Sequence, residues 1–399
     1  MSGNKAGQAR DWRIDFFRGL ALIFIFVDHV PDNKFASFTL RNFGFSDAAE
    51  VFVFLAGYSA VLAYGRKLES DPLGAGTSSV FERVRSIYVW HLLALVLGAV
   101  LLYVTAELTG NRQYVDNIGF QGLETNAQRT IISASLLMMQ PNLFNILPIY
   151  IVLLAAFPVV YFLLRWNILV GLSVLGTLWI AAGVLGLNFP TVSPDGQLGG
   201  WFLNPFGWIL LFACGSAAAL AIRRNGFPYS NAAFAISTMI LMFGFLFAAP
   251  WTAIPGMEKA RLIDPALLGN IDKTNLAFWR LAHVLALAYT TLALIMPQAS
   301  WLDTKIAREI RRIGRHSLEV FVLGIFLSLT GWIVLSEVGN TLALQMAVNA
   351  LGIIALGAAA WVLSQRGDAL KSQPTPPATL TAEQPHIAGR SSWPQRPVF

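Results

Sequence analysis

Residues 11–31, DWRIDFFRGLALIFIFVDHVP, form an apolar run bracketed by charge that a simple membrane anchor would not carry. Written as a helix, the stretch puts Arg18, Leu22, Ile25 and His29 on one stripe, because eleven steps of about 100° return His29 to within roughly 20° of Arg18. At about 1.5 Å per residue the two groups lie roughly 16 Å apart along the axis, about half the thickness of bilayer hydrocarbon. Asp15 sits one turn before Arg18 and Asp28 directly precedes His29, so each end of the stripe carries a carboxylate beside a basic group. Charge at such depth is costly unless it faces protein or a wet cavity, which makes these residues functional candidates. The plainer alternative is an Arg anchor at one end and a snorkelling interfacial His at the other.

Composition supports a membrane setting. Of the 399 residues, 55% are hydrophobic and 13% charged, whereas a soluble domain carries about a quarter charged. The net charge of +6 is spread in short clusters between apolar segments, which fits orientation in a membrane rather than a nucleic-acid surface. The single cysteine, Cys214, excludes an internal disulfide framework and any Cys-cluster metal site, and the five histidines are too far apart in sequence for a local metal-ligand pattern. No metal and no tightly bound cofactor is expected.

Apolar segments fall at 14–31, 47–64, 84–107, 144–164, 167–187, 206–222, 231–249, 277–297, 317–335 and 341–364. They predict an all-α, polytopic integral membrane protein with about ten transmembrane helices. The stretch 127–139 is too short to span and reads as a re-entrant or interfacial helix. With a cytoplasmic N-terminus, the inner connections hold Arg66, Lys67, Arg83, Arg85, Arg165, Arg223, Arg224 and the run Lys305, Arg308, Arg311, Arg312, Arg315. Outside lie only Lys34, Arg41, Arg112, Arg129, Lys259, Arg261, Lys273 and Arg280, so both termini are predicted inside. The expected organisation is a cytoplasmic segment 1–13, a transmembrane domain 14–364 and a disordered cytoplasmic tail 365–399 rich in Pro, Ser, Thr and Gln.

Span two, SDAAEVFVFLAGYSAVLAYGRK, can be capped by Ser46 or Asp47, with Glu50 one turn in and at the depth of His29. A His with two candidate carboxylates, Asp28 and Glu50, has the composition of a general base held in one tautomer by an acidic partner. Ala56, Gly57 and Ser59 form a small-residue patch that would let span two approach span one. On the inner side, FERVRSIYVWHLL puts Arg83 and Arg85 at the start of span three with His91 two turns deeper. The pair suits a phosphate-bearing ligand, and it also satisfies the ordinary positive-inside bias.

The run IAREIRRIGRHSLEVFVLG leads His316 and Glu319 into span nine and offers a second phosphate or lipid-headgroup site. Arg280 and His283 share a face near the outer side, as a substrate-binding pair or an interfacial anchor. Trp201 and Trp208, flanking an Asn-Pro helix start, read as an aromatic belt. There is no Walker loop, Gly-x-Ser-x-Gly elbow, His-Glu-x-x-His or dinucleotide fingerprint.

DWRIDFFRGLALIFIFVDH resembles the first span of acyltransferase-3 superfamily membrane enzymes, in which an Arg is followed after ten residues by a His, here Arg18 and His29. Together with DAAEVFVFLAGYSAVLAYGRK, FERVRSIYVWHLL, LNPFGWILLF and GRHSLEVF in the same order, the chain resembles the OpgC family over most of 11–364. It departs from the superfamily in having Ala56-Gly57-Tyr58 where Ser-Gly-Phe is common. The resemblance implies an enzyme of the bacterial inner membrane that moves an acyl group, succinyl or acetyl, from cytoplasmic acyl-CoA to a hydroxyl of a periplasmic glucan or another extracytoplasmic glycan. Catalysis would fall to His29, Arg18, Asp28 and Glu50, and substrate binding to Asp15, Arg83, Arg85, His91, Arg280, His283 and His316. The competing class is a proton-coupled transporter or flippase, against which stand the lack of a clear inverted repeat and the concentration of charge in spans one to three. The oligomeric state is open.

Overall fold

The computed structural model describes residues 10–249, 256–257, 268 and 271–371. The expected inner segment up to residue 9, Lys259, Arg261 and the tail from 372 lie outside the described residues.

Helix boundaries follow local capping chemistry. α1 (Trp12–Asp28) starts where Asp11 accepts the Arg13 amide at 3.1 Å. α2 (Ala48–Ser70) opens on a reciprocal cap: the Ala49 amide donates to Asp47 at 2.8 Å and the Asp47 amide to Glu50 at 2.9 Å. Asp71 then accepts the amides of Gly74 and Ala75, at 3.1 and 2.6 Å, and starts α3 (Ala75–Thr109). Short helices α4 (Gln113–Asp116), α5 (Gly122–Thr125) and α6 (Ala127–Ser135) follow, α6 occupying the stretch too short to span. After α7 (Ile146–Trp166) and α8 (Ile168–Leu185), β1 (Pro190–Val192) pairs antiparallel with β2 (Leu198–Gly200), with Pro190 opposite Gly200. α9 (Pro205–Asn225), α10 (Asn231–Ala248), α11 (Phe278–Leu294), α12 (Lys305–Arg315), α13 (Ser317–Val338) and α14 (Leu342–Lys371) complete the described chain, α14 carrying helix past residue 364.

Among the described residues eight helices, α2, α3, α7, α8, α9, α10, α13 and α14, are long and apolar enough to cross a membrane. α1 and α11, at 17 residues each, rise about 25 Å. A helix therefore coincides with each of the predicted apolar segments, and the protein is an all-α polytopic membrane protein. Within their apolar windows α2 and α9 are 67% buried and α8 and α10 only 17%, so α2 and α9 are central and α8 and α10 face outward. The Lys/Arg-rich connections gather at one end. There Glu69 lies 3.2 Å from Arg223 and 3.7 Å from Arg165, Arg224 donates to the Arg165 carbonyl, and Arg315 reaches Asp15 at 3.4 Å. We call this the basic end.

Two glycine pairs set the closest helix crossings. A Cβ on Gly57 would strike the Phe212 carbonyl of α9 and one on Gly215 the Phe54 carbonyl of α2; Gly19 and Gly314 join α1 to α12 in the same way. This corrects the expected small-residue patch. Gly57 and Ser59 are roughly 200° apart on a helix, so Gly57 meets α9 while Ser59 meets Arg18 of α1. Gly57→Val is expected to cost about 1–3 kcal/mol or more through overpacking. The melting temperature of the detergent-solubilised protein should fall, while Leu62→Val on the exposed face of α2 leaves it unchanged.

The predicted lead-in to span nine is instead a separate amphipathic helix, α12, which turns into α13 at His316. Arg311 is buried on it, its guanidinium 4.2 Å from the Trp12 ring centre and donating to the Leu302 carbonyl at 2.9 Å. Arg312 pairs with Glu309. Arg311 thus fastens α12 to α1 instead of facing a phosphate. The tryptophans expected in a belt are buried: Trp201 donates to the Pro190 carbonyl, and Trp208 to the carbonyls of Lys273 and Thr274, each at 3.1 Å. An indole N–H in the interior needs an acceptor, and here it braces the loop that carries Lys273.

Candidate active site

At the end opposite the basic one, a cavity of about 560 Å³ opens between α1, α2, α7, α11 and the loops near residues 44, 142, 202 and 273. His29 caps the C-terminus of α1 and lines this cavity. Its Nδ1 lies 2.6 Å from the carbonyl oxygen of Ile25. A carbonyl only accepts, so Nδ1 carries a proton; in the neutral ring Nε2 then holds the lone pair, and it has no hydrogen-bond partner among the described residues. When neutral, the ring therefore has its tautomer set and its basic nitrogen free.

The expected orienting carboxylates do other work. Asp28 accepts from the Thr39 hydroxyl at 2.5 Å, because adjacent residues on a helix point about 100° apart and cannot both serve one ring. Glu50 is fully buried, accepting Arg280 Nε at 2.6 Å. Arg280 also reaches Asp47 at 3.1 Å, and Lys273 Nζ donates to Asp47 at 2.6 Å. Two carboxylates and two cations therefore neutralise one another in the cavity wall. The backbone carbonyl of Ile25, rather than Asp28 or Glu50, orients His29.

Of the outer pair, Arg280 lines the cavity, and His283 does not. His283 is buried behind it, Nδ1 2.7 Å from the Ser46 hydroxyl, its ring filling the space that Gly44 and Gly244 leave open. Arg41, Asn142, Asn145 and Lys273 complete the polar lining. In the sequence Arg41 and Lys273 stand only as outer charges, and the asparagines, in segments without periodicity, carry no signal.

Arg18 forms a second polar centre nearer the basic end. It donates to the Ser59 hydroxyl and, at 3.4 Å, to the Leu55 carbonyl, and it lies within electrostatic range of Arg83 and Tyr150. Tyr64 is within range of the same two residues. Tyr150 stands one turn along α7 from the cavity-lining Ile146, and Phe52 one turn along α2 from Ala48. The Phe52 ring centre is 6.1 Å from that of Tyr150 and 6.3 Å from that of Phe321. An aromatic layer thus lies under the cavity on the Arg18 side.

Arg83 and Arg85, two residues apart, point to opposite sides of α3, and Arg85 is exposed. His91 is fully buried, and neither ring nitrogen has a partner among the described residues. Asp15 accepts from Arg10 at 2.7 and 2.9 Å besides Arg315, so it ties α1 to α12. His316 Nε2 lies 3.0 Å from the Ser364 hydroxyl of α14. Asp15, His91 and His316 accordingly lie away from the His29 cavity lining, and His283 lies just behind it against Gly44 and Ser46.

No curated protein and no solved structure matches the chain. One family does: its sequence model, described as OpgC protein, matches residues 10–367 and so takes in α1 with Arg18 and His29, the cavity and both polar centres. The chain belongs to the OpgC family, and that membership points to a membrane acyltransferase that modifies a glucan.

Proposed function

We propose that the protein moves an acyl group, succinyl first among the candidates and acetyl second, from cytoplasmic acyl-CoA to a hydroxyl of a periplasmic glucan. The basic end then faces the cytoplasm and the His29 cavity the periplasm of a bacterial inner membrane, in keeping with the distribution of Lys and Arg. The observation that carries this reading is the free Nε2 of His29 in a roomy, polar, charge-balanced cavity. A neutral polyol suits such a lining, and its hydroxyl needs a base.

His29 Nε2 takes the proton as the acceptor oxygen attacks the thioester carbonyl. The C–S bond breaks, an ester forms, and the departing thiolate recovers the proton from the imidazolium. Arg18 lies too far along α1 to act on the same atom, and with Arg83 it positions the donor's phosphates and arm. Asp28 and Glu50 support the cavity wall.

The test supplies membranes holding the protein with labelled succinyl-CoA or acetyl-CoA and a periplasmic glucan, and weighs the glucan. An acyl mass increment supports the reading. Untouched acyl-CoA with labelled glucan crossing the membrane would identify a carrier instead. Arg18→Ala should raise the KM for acyl-CoA roughly tenfold or more, the loss of a charged hydrogen bond, with the acceptor KM unchanged.

A further inference from the structure

The His29 cavity has a neighbour. A second depression of about 420 Å³ is lined by Asp28, Val30, Pro31, Asp32, Asn33, Lys34, Ala36 and Arg41. Asp28 and Arg41 line both, so the two depressions adjoin across these side chains. Asp32, Lys34 and Arg41 are exposed and make no ion pair or side-chain hydrogen bond among the described residues.

The loop that presents them is held rigidly from behind. Asn33 is buried and donates to the Val27 carbonyl and to Asn349 of α14, each at 2.9 Å, and Asn349 donates back to Asn33 at 3.0 Å. Gln345, buried on α14, accepts the Lys34 amide at 2.9 Å and donates to the Asp32 carbonyl at 3.3 Å. Asp32 itself is left-handed, with φ 58°. A non-glycine residue in that region is strained and persists only where its surroundings over-determine it. A buried amide network that holds a strained loop, with its charged tips left unpaired, is the construction of a preorganised binding wall.

We propose that this second depression is a subsite for a further sugar unit of the acceptor, so that the enzyme binds an extended glucan, with one unit at His29 and the next against Asp32, Lys34 and Arg41. Free carboxylate, ammonium and guanidinium groups side by side suit vicinal hydroxyls, which both donate and accept. This rests on the acyltransferase reading above, since it places the reacting hydroxyl at His29.

The experiment measures transfer from labelled succinyl-CoA to glucose, to a disaccharide and to longer oligoglucans, with the wild type and with the double variant Asp32→Ala, Lys34→Ala. In the wild type, KM should fall at least about tenfold from glucose to the longer acceptors. The double variant should raise the KM for long acceptors about tenfold, with kcat, and transfer to glucose, unchanged. Equal KM for all lengths in the wild type, or equal loss on short and long acceptors in the variant, overturns the subsite. Transfer to no saccharide of any length would instead overturn the acyltransferase reading.

Discussion

His29→Asn abolishes measurable ester formation while the protein still assembles and melts as the wild type does. The side chain reaches the cavity from the C-cap of α1, and its only described hydrogen bond is to the adjoining helix, through Ile25. Asn places an amide N–H where Nδ1–H stood, so it keeps a donor for that carbonyl and removes the base, and the fold loses little. General-base catalysis contributes about 10²–10⁴ in rate, and kcat should fall by that range. The check is ester content of the glucan by mass spectrometry, together with the melting temperature in detergent. A variant that folds normally and retains wild-type kcat would end the assignment of His29 as base.

Arg280→Ala should destabilise the protein by about 3–5 kcal/mol, because it strands Glu50 without its cation at a site where the carboxylate is fully buried. The double variant Glu50→Ala, Arg280→Ala should recover much of that loss, since no charge is then left unpaired. Unfolding of the two single variants and the double variant in denaturant gives the coupling. Activity in the double variant separates two roles for Arg280: recovery with stability marks it as a wall residue, and continued loss in a stable double variant marks it as a substrate contact. A stable Arg280→Ala protein would show that the pair does not hold the α2 N-terminus to α11.

Much of what local period and local hydrogen bonding govern could be read from the chain, the separate amphipathic helix α12 being an exception. The helical segments follow from runs of apolar residues long enough to satisfy their own backbone in lipid. The Asp47–Glu50 cap spans one turn, and the Arg18–His29 stripe follows from the helix repeat. What depended on distant neighbours could not be read. Glu50 meets Arg280 across 230 positions, and no local rule distinguishes that partner from the nearer His29. Gly57 and Ser59 look like one patch until the packing of α9 and α1 on opposite sides of α2 separates them.

The tautomer of His29 depends on a rotamer, because its partner is a carbonyl rather than one of the carboxylates visible beside it. The burial of Trp208 and the position of Lys273 depend on a loop folding back over α9. Apolar pattern thus specified which segments are helices, since each satisfies its own backbone. The cavity, the free nitrogen within it and the groove beside it arise between segments, where packing chooses each side chain's partner.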